Sequence, residues 1–407
     1  MEEDVQPGSA SDSSLRWLPG VTRLVWRIPS LAALVALVAL GVIRLPGGDS
    51  SSVAALVDGL ERPIPRHDVI EVWVCDVPAD STAAVYGGLP LRFDLDPAQL
   101  AATFDDGVAG YFSSISHLQY TQSFTPGGTV SMGRDDDYVA CVDAAIAGAR
   151  LDTTVVLAVA TAEHAPGSPG GFGQPGRGCT DRSTGECDVA ESRRYAYVGA
   201  SDFGPQWADN PPLDLVEHEL GHTLGWVHSG VDPVSGDYLS ALDVMSNSAA
   251  PRDVDRSRRD APDTLGVHRL VAGWLRGVEV SAVDDAVTAT LSPSNVWLTD
   301  VTAAAVGTRL LVLRIDDTSF LTVELFVATG HDSHLPSTGV AVHRVRCRDD
   351  DPTVIESIDP ITPGGVLPFT DLLQSKGSLT TDGWTIEVVE WSDDGWVVSA
   401  TPIGSTP

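Results

Sequence analysis

The chain alternates between β-branched apolar runs and stretches whose apolar residues recur at helical spacing. Residues 69–77 (VIEVWVCDV) read as a strand. From Pro97 to about residue 117, Leu100, Phe104, Val108, Tyr111, Phe112 and Ile115 recur at helical spacing, which predicts a helix. An alternating stretch over 118–124 follows and ends at Pro126-Gly127-Gly128. Residues 138–150 predict a second helix, 153–161 (TTVVLAVAT) a buried strand, 195–200 another strand and 213–226 a helix. The intervening segment 164–188 is rich in Gly and Pro and reads as a surface loop. Strands alternating with helices predict an α/β layer. After about residue 276 short apolar runs recur, at 286–291, 309–315, 321–327, 339–345, 384–389 and 396–400. Turns of Gly, Asp, Pro and Ser separate them, which predicts a small all-β module, sandwich or barrel.

One segment near the N-terminus breaks both patterns. Residues 31–43 (LAALVALVALGVI) are uninterruptedly apolar, and the run extended to 28–45 reaches the low end of the ~17–25 residues that a spanning helix needs. Arg16, Arg23 and Arg27 precede it, whereas only Arg44 follows closely. The positive-inside rule therefore predicts a cytoplasmic N-terminus and an exported remainder. A cleaved signal peptide is the main alternative, with Ser52-x-Ala54 as a distant cleavage candidate, and a buried core helix is the other.

Composition narrows the function classes. The formal charge is −31, with one lysine (Lys376) among 25 basic residues, so a phosphate backbone would be repelled and nucleic acid is excluded as a partner. Hydrophobic residues make up 43% but aromatic ones only 6%, so the core is built largely of Ala, Val and Leu. Of five cysteines, Cys179 and Cys187 bracket a polar loop (CTDRSTGEC) that fits a disulfide in an oxidising compartment. Cys75 and Cys141 can pair, leaving Cys347 alone, but spacing does not decide connectivity.

The chemistry concentrates in residues 216–228, VEHELGHTLGWVH. On a helix His218 and His222 lie one turn plus about 40° apart, so both imidazoles can face one point. That arrangement suits two nitrogen ligands on Zn²⁺. Glu219 stands beside the first histidine, where its carboxylate can reach a water on the ion without ligating it. Gly225 lets the chain leave the helix by a left-handed turn, returning His228 as a third ligand. Three imidazoles leave one position open, the arrangement of a catalytic zinc. Given ten His and thirty-nine Gly in the chain, HExxHxxGxxH arises by chance about 2 × 10⁻⁵ times in this length.

This motif resembles the signature of the metzincin metalloproteases. Asp243-Val244-Met245-Ser246 lies where that family places its Met-turn, with Met245 beneath the ligands. Asn247 stands where some metzincins carry a tyrosine. Residues 111–124, 268–275, 320–325 and 335–345 are similar to segments of gametolysin-like and immune-inhibitor-A-like peptidases. The resemblance implies an α/β (α+β) catalytic domain with a mixed sheet and active-site helix, followed by a sandwich-like β module. The expected organisation is a disordered cytoplasmic tail (1–27), a single-pass anchor (28–45), a linker (46–66), a zinc protease domain (67–276) and a β-rich module (277–407). The implied activity is cleavage of extracellular protein or peptide substrates, with Glu219 as general base and the substrate extended along a sheet-edge strand.

Other clusters carry weaker expectations. Asp135-Asp136-Asp137 and Asp349-Asp350-Asp351 can attract Ca²⁺, although neither has the spaced EF-hand pattern and solvated acidic loops fit better. His331, His334 and His343 allow a second metal site, against a structural role for His343. No cysteine switch motif is present, and Cys75 within its strand reads as structural. A non-catalytic binding protein on the same fold, and a zinc hydrolase of a non-peptide surface substrate, are the alternatives; the intact Glu219 favours catalysis.

Overall fold

The computed structural model describes residues 52–60, 66–79, 84–85, 89–90, 92–162, 170–175, 193–204, 207, 210–275, 277–296, 307–361, 370–392 and 395–404. The expected anchor at 28–45 and the Cys179–Cys187 loop lie outside these residues. Among the described residues, no helix is long and apolar enough to cross a membrane. The protein is mixed α/β, with several sheets and few helices.

Helix α1 (Val53–Leu60) lies within the stretch read as a linker and buries Val53, Val57 and Leu60. Strand β1 (His67–Asp76) and a two-residue ladder of β2 (Ala84–Val85) and β3 (Leu89–Pro90) follow. Helix α2 (Pro97–Asp106) starts on Asp96, whose carboxylate accepts from Ala98 N–H. The single helix predicted to residue 117 is broken at Gly107, after which α3 (Val108–Ile115) begins. A Cβ at Gly107 would strike Leu213 Cδ1, so this break is where the two segments meet Leu213. Strand β4 (Thr121–Ser131) continues through Pro126-Gly127-Gly128, where the sequence predicts an end. It is an edge strand, where proline's missing N–H is tolerated, and both glycines pack against the indole of Trp73.

Helix α4 (Tyr138–Gly148), β5 (Val155–Ala160), β6 (Gly171–Gln174), β7 (Arg194–Val198) and α5 (Asp214–Thr223) complete the first layer. The sheet order is β4-β1-β5-β7-β6; the first four strands are parallel and β6 is antiparallel at the edge. Strand β5 is buried at every position because both faces are covered. Helix α4 covers one face, tied to β1 by a Cys75–Cys141 disulfide. Helices α2, α3 and α5 cover the other, sharing Leu100, Phe104, Phe112, Val216 and Leu220 with Val155, Leu157 and Val159. Two short helices, α6 (Ala250–Val254) and α7 (Gly266–Val271), follow.

The remaining strands are β8 (Val280–Val283), β9 (Val287–Leu291), β10 (Leu310–Arg314), β11 (Ser319–Phe326), β12 (Gly339–Cys347), β13 (Ile355–Pro360), β14 (Ser378–Thr381), β15 (Trp384–Ser392) and β16 (Gly395–Pro402). They form a five-stranded sheet, β13-β12-β11-β10-β8, and a four-stranded one, β14-β15-β16-β9. Leu313, Leu321, Val323 and Val342 of the first meet Ile386, Val388, Val398 and Ala400 of the second in one apolar cluster. Strand β11 is buried along its whole length. Its alternate residues Phe320 and Phe326 belong instead to the core that contains α5. One face of this sheet thus serves the β layer, and the other joins the core that α5 shares, where α7 packs on β11.

Candidate metal centre

Helix α5 is anchored before its histidines begin. The N–H groups of Leu213 and Asp214 donate to Arg259 O (2.8 and 3.1 Å), and Ala261 N–H donates to Glu217 Oε2 (2.7 Å). Burial, and then the charge of Asp260, hold the Glu217 carboxyl well above its ordinary range. After Thr223 the helix closes through Leu224, and Gly225 takes φ +86°, the left-handed turn that the sequence predicts.

That turn returns His228 to the two helical histidines. Ligand nitrogens of His218, His222 and His228 all lie within 4.8 Å of one another, the one such group of three among the described residues. His222 Nε2 and His228 Nε2 are 2.9 Å apart. Second partners fix two of the rings. His218 Nδ1 lies 2.7 Å from Val244 O, and His222 Nδ1 lies 2.8 Å from Trp226 O. A carbonyl only accepts, so each Nδ1 must carry the hydrogen and each Nε2 presents a lone pair. Burial first, then the neighbouring imidazoles, lower His218 to about 3 and His228 to about 4; burial also lowers His222. All three rings are therefore neutral donors at physiological pH, which fits a cation that takes imidazole nitrogen.

Residues 243–246 pack against the helix and the loop that follows it. Met245 is fully buried, and its sulfur sits where a Cβ on Gly221 would fall, 2.5 Å away, so the helix rests directly on it. Ser229 N–H donates to Met245 O (3.0 Å), fixing the loop just after His228. Gly230 N–H donates to Ile358 O on β13 (3.0 Å), so the β layer also holds this loop. Buried Asp243 accepts from Ser229 Oγ (2.5 Å) and from Thr264 Oγ1 (3.1 Å), and His268 Nδ1 lies 3.3 Å away. Burial would raise its pKa, but the charge and hydrogen bond of His268, with hydrogen bonds from Ser229 and the Met245 backbone, hold it below the ordinary value. Asn247 is turned away, its amide 3.4 Å from Asp253.

Glu219 is 4% exposed, and its Oε2 meets no protein donor. Burial alone raises its carboxyl to about 8. Strand β6 lies over it. A Cβ at Gly171 would overlap Glu219 Oε1, and one at Gly173 would overlap the Glu219 carbonyl. Only glycine lets this strand approach the helix so closely, while Phe172 between them packs against Tyr138 and Tyr195. Here the sequence predicts only loop. The strand was hidden because glycine carries no strand propensity, although the Gly-Phe-Gly alternation was its one signal. No other described strand pairs with the outer edge of β6.

A cleft of about 790 Å³ opens over the histidines, Glu219 and β6. Tyr238, absent from the sequence expectations, stands at its rim with its hydroxyl 3.2 and 3.3 Å from the two ring nitrogens of His228. Burial, and then the Glu219 charge, raise its pKa. Farther along, Arg252 pairs with Asp214 (2.9 Å) and stacks over Trp207, while burial and then Asp214 raise Asp202 to about 6.

The remaining clusters serve turns and packing. Asp136 accepts from Gly133 N–H, Asp137 caps α4, Asp350 pairs with Arg348 and Asp351 accepts from Thr353. His334 contacts the carbonyls of His331 and Ala241, and His343 is buried in β12. Cys347 is a buried free thiol.

No family model matches the chain, and no curated protein does. One solved structure, described as a chaperone-substrate complex, aligns at 10% identity and a TM-score of 0.26 over 52% of this chain and 36% of that one. The chain thus spans about a third of that neighbour's length.

Proposed function

We propose that this protein is a zinc endopeptidase of metzincin type, anchored by residues 28–45 with its catalytic and β-rich layers outside the cell. The observation that carries the reading is the convergence of His218, His222 and His228, with Nδ1 hydrogens of the first two committed to carbonyls, beside the buried and unpartnered Glu219 carboxyl. A zinc ion held by the three Nε2 atoms would supply an acidified water and polarise the scissile carbonyl. A cation on the histidines would hold the Glu219 carboxyl ionised against the burial that raises it, so that it takes a proton from the attacking water and returns it to the departing amine. The peptide lies extended beside β6, whose outer edge offers main-chain donors and acceptors, with Gly171 and Gly173 leaving that edge close to the carboxylate. The Cys75–Cys141 disulfide supports an oxidising compartment, in keeping with export.

The test is metal analysis of the purified chain together with cleavage of casein and a peptide library, compared with Glu219→Ala. Stoichiometric zinc in both proteins and cleavage only by the wild type is the expected result. Zinc without any peptide cleavage by the wild type would remove the endopeptidase reading and leave a zinc hydrolase of another substrate or a binding protein.

A further inference from the structure

Three hydroxyls line the cleft near the histidines, and two of them have partners of their own. Ser246 Oγ accepts from Ser240 N–H (3.0 Å), and Ser248 Oγ faces Asp214 Oδ2 (3.5 Å). The third belongs to Tyr238. Its oxygen lies within hydrogen-bond distance of both ring nitrogens of His228, 3.2 and 3.3 Å, the one cleft hydroxyl of the three that contacts a histidine of the cluster. The phenol thus lines the same cleft as Glu219 and the three histidines, beside the ring of His228.

The backbone holds it there. Residues 230–240 form a small hairpin in which Val231 and Tyr238 pair antiparallel, Asp232 N–H donates to Asp237 O (2.9 Å) and Leu239 N–H donates to Gly230 O (3.0 Å). Gly230 and Gly236 supply the positive φ angles, +59° and +78°. The ring packs against His228 and His218, with centroids 4.7 and 5.9 Å away, and 40% of the residue stays open to the cleft.

We propose that Tyr238 is a further catalytic residue, donating its phenolic hydrogen to the carbonyl oxygen of the substrate as water adds and that oxygen becomes anionic. This rests on the endopeptidase reading. No covalent bond to the tyrosine forms or breaks; the phenol keeps its proton, and the oxyanion collapses as the amine leaves. A donor of this kind matters in the transition state and little in the ground state.

The probe is Tyr238→Phe, which keeps the ring and removes the hydroxyl. We expect unchanged zinc content, kcat lower by about 100-fold and KM within about twofold of wild type. A phosphinic peptide, whose tetrahedral anionic oxygens mimic the intermediate, should bind the zinc-loaded variant about 100-fold more weakly by calorimetry. A variant that keeps both kcat and phosphinic-peptide affinity within about twofold overturns the proposal, as does one that loses zinc. A wild type that neither holds zinc nor cleaves peptides overturns the endopeptidase reading itself.

Discussion

Gly171 lies flush against the carboxylate of Glu219, leaving no room for a side chain between strand β6 and the helix beneath it. Gly171→Ala should push one or the other aside by a fraction of an ångström to an ångström. A misplacement of that size near reacting atoms costs on the order of 100-fold in rate. The expected result is a large fall in kcat with full zinc content. An Ala variant as active as wild type would mean that the strand is not held over the carboxylate.

Asp243 is the buried acceptor that ties Ser229, next to His228, to Thr264 and His268. Asp243→Asn should cost roughly 2–4 kcal/mol, the range for breaking a buried hydrogen-bonded charge, and weaken zinc retention against a chelator. The folded pKa is depressed, so the aspartate's stabilisation is present above its unfolded value and disappears as pH falls through the folded one. In metal-free protein the gap between variant and wild type should therefore narrow at acid pH. A gap independent of pH would contradict the role of the charge.

Glu324 on β11 accepts from Gly266 N–H (2.7 Å) and is fully buried, which raises its carboxyl from 4.5 to about 8. The folded state holds this proton where the unfolded state releases it, so its contribution falls with rising pH between about 4.5 and about 8. Glu324→Gln should remove a slope of up to ~1.4 kcal/mol per pH unit. Urea midpoints at pH 5 and 8 measure it; parallel slopes in the two proteins would refute the assignment.

The disulfide closes a loop with a sequence separation of 66. Chain entropy puts its contribution on the order of 4 kcal/mol. The paired variant Cys75→Ser/Cys141→Ser should lose about 2–4 kcal/mol in urea unfolding and keep its zinc, because α4 lies on the sheet face opposite α5. Loss of the metal with the disulfide would contradict that separation.

Much of the site was legible because its chemistry is local. His218, Glu219, His222, Gly225 and His228 fall within eleven residues, and helical periodicity with one left-handed glycine suffices to predict their meeting. Met245 was legible only through its distance from the motif and the resemblance. What stayed hidden is non-local or made of residues without propensity. The glycines of β6 read as loop, and β13, which holds Gly230, is a polar strand ending in proline. Tyr238 reaches His228 through a hairpin whose turn gave no hydrophobic pattern. At Gly107 the two helices meet Leu213, 106 residues away in sequence, a contact that helical spacing alone does not register.

X-ray absorption on the zinc-loaded protein, with elemental analysis of wild type and His228→Ala, tests the central claim most directly. The account predicts one zinc per wild-type chain, with three imidazole nitrogens and one light oxygen at about 2.0–2.1 Å, and much lower occupancy in the variant. Absence of stoichiometric zinc, a fourth ligand from the protein, or unchanged occupancy in His228→Ala would contradict it.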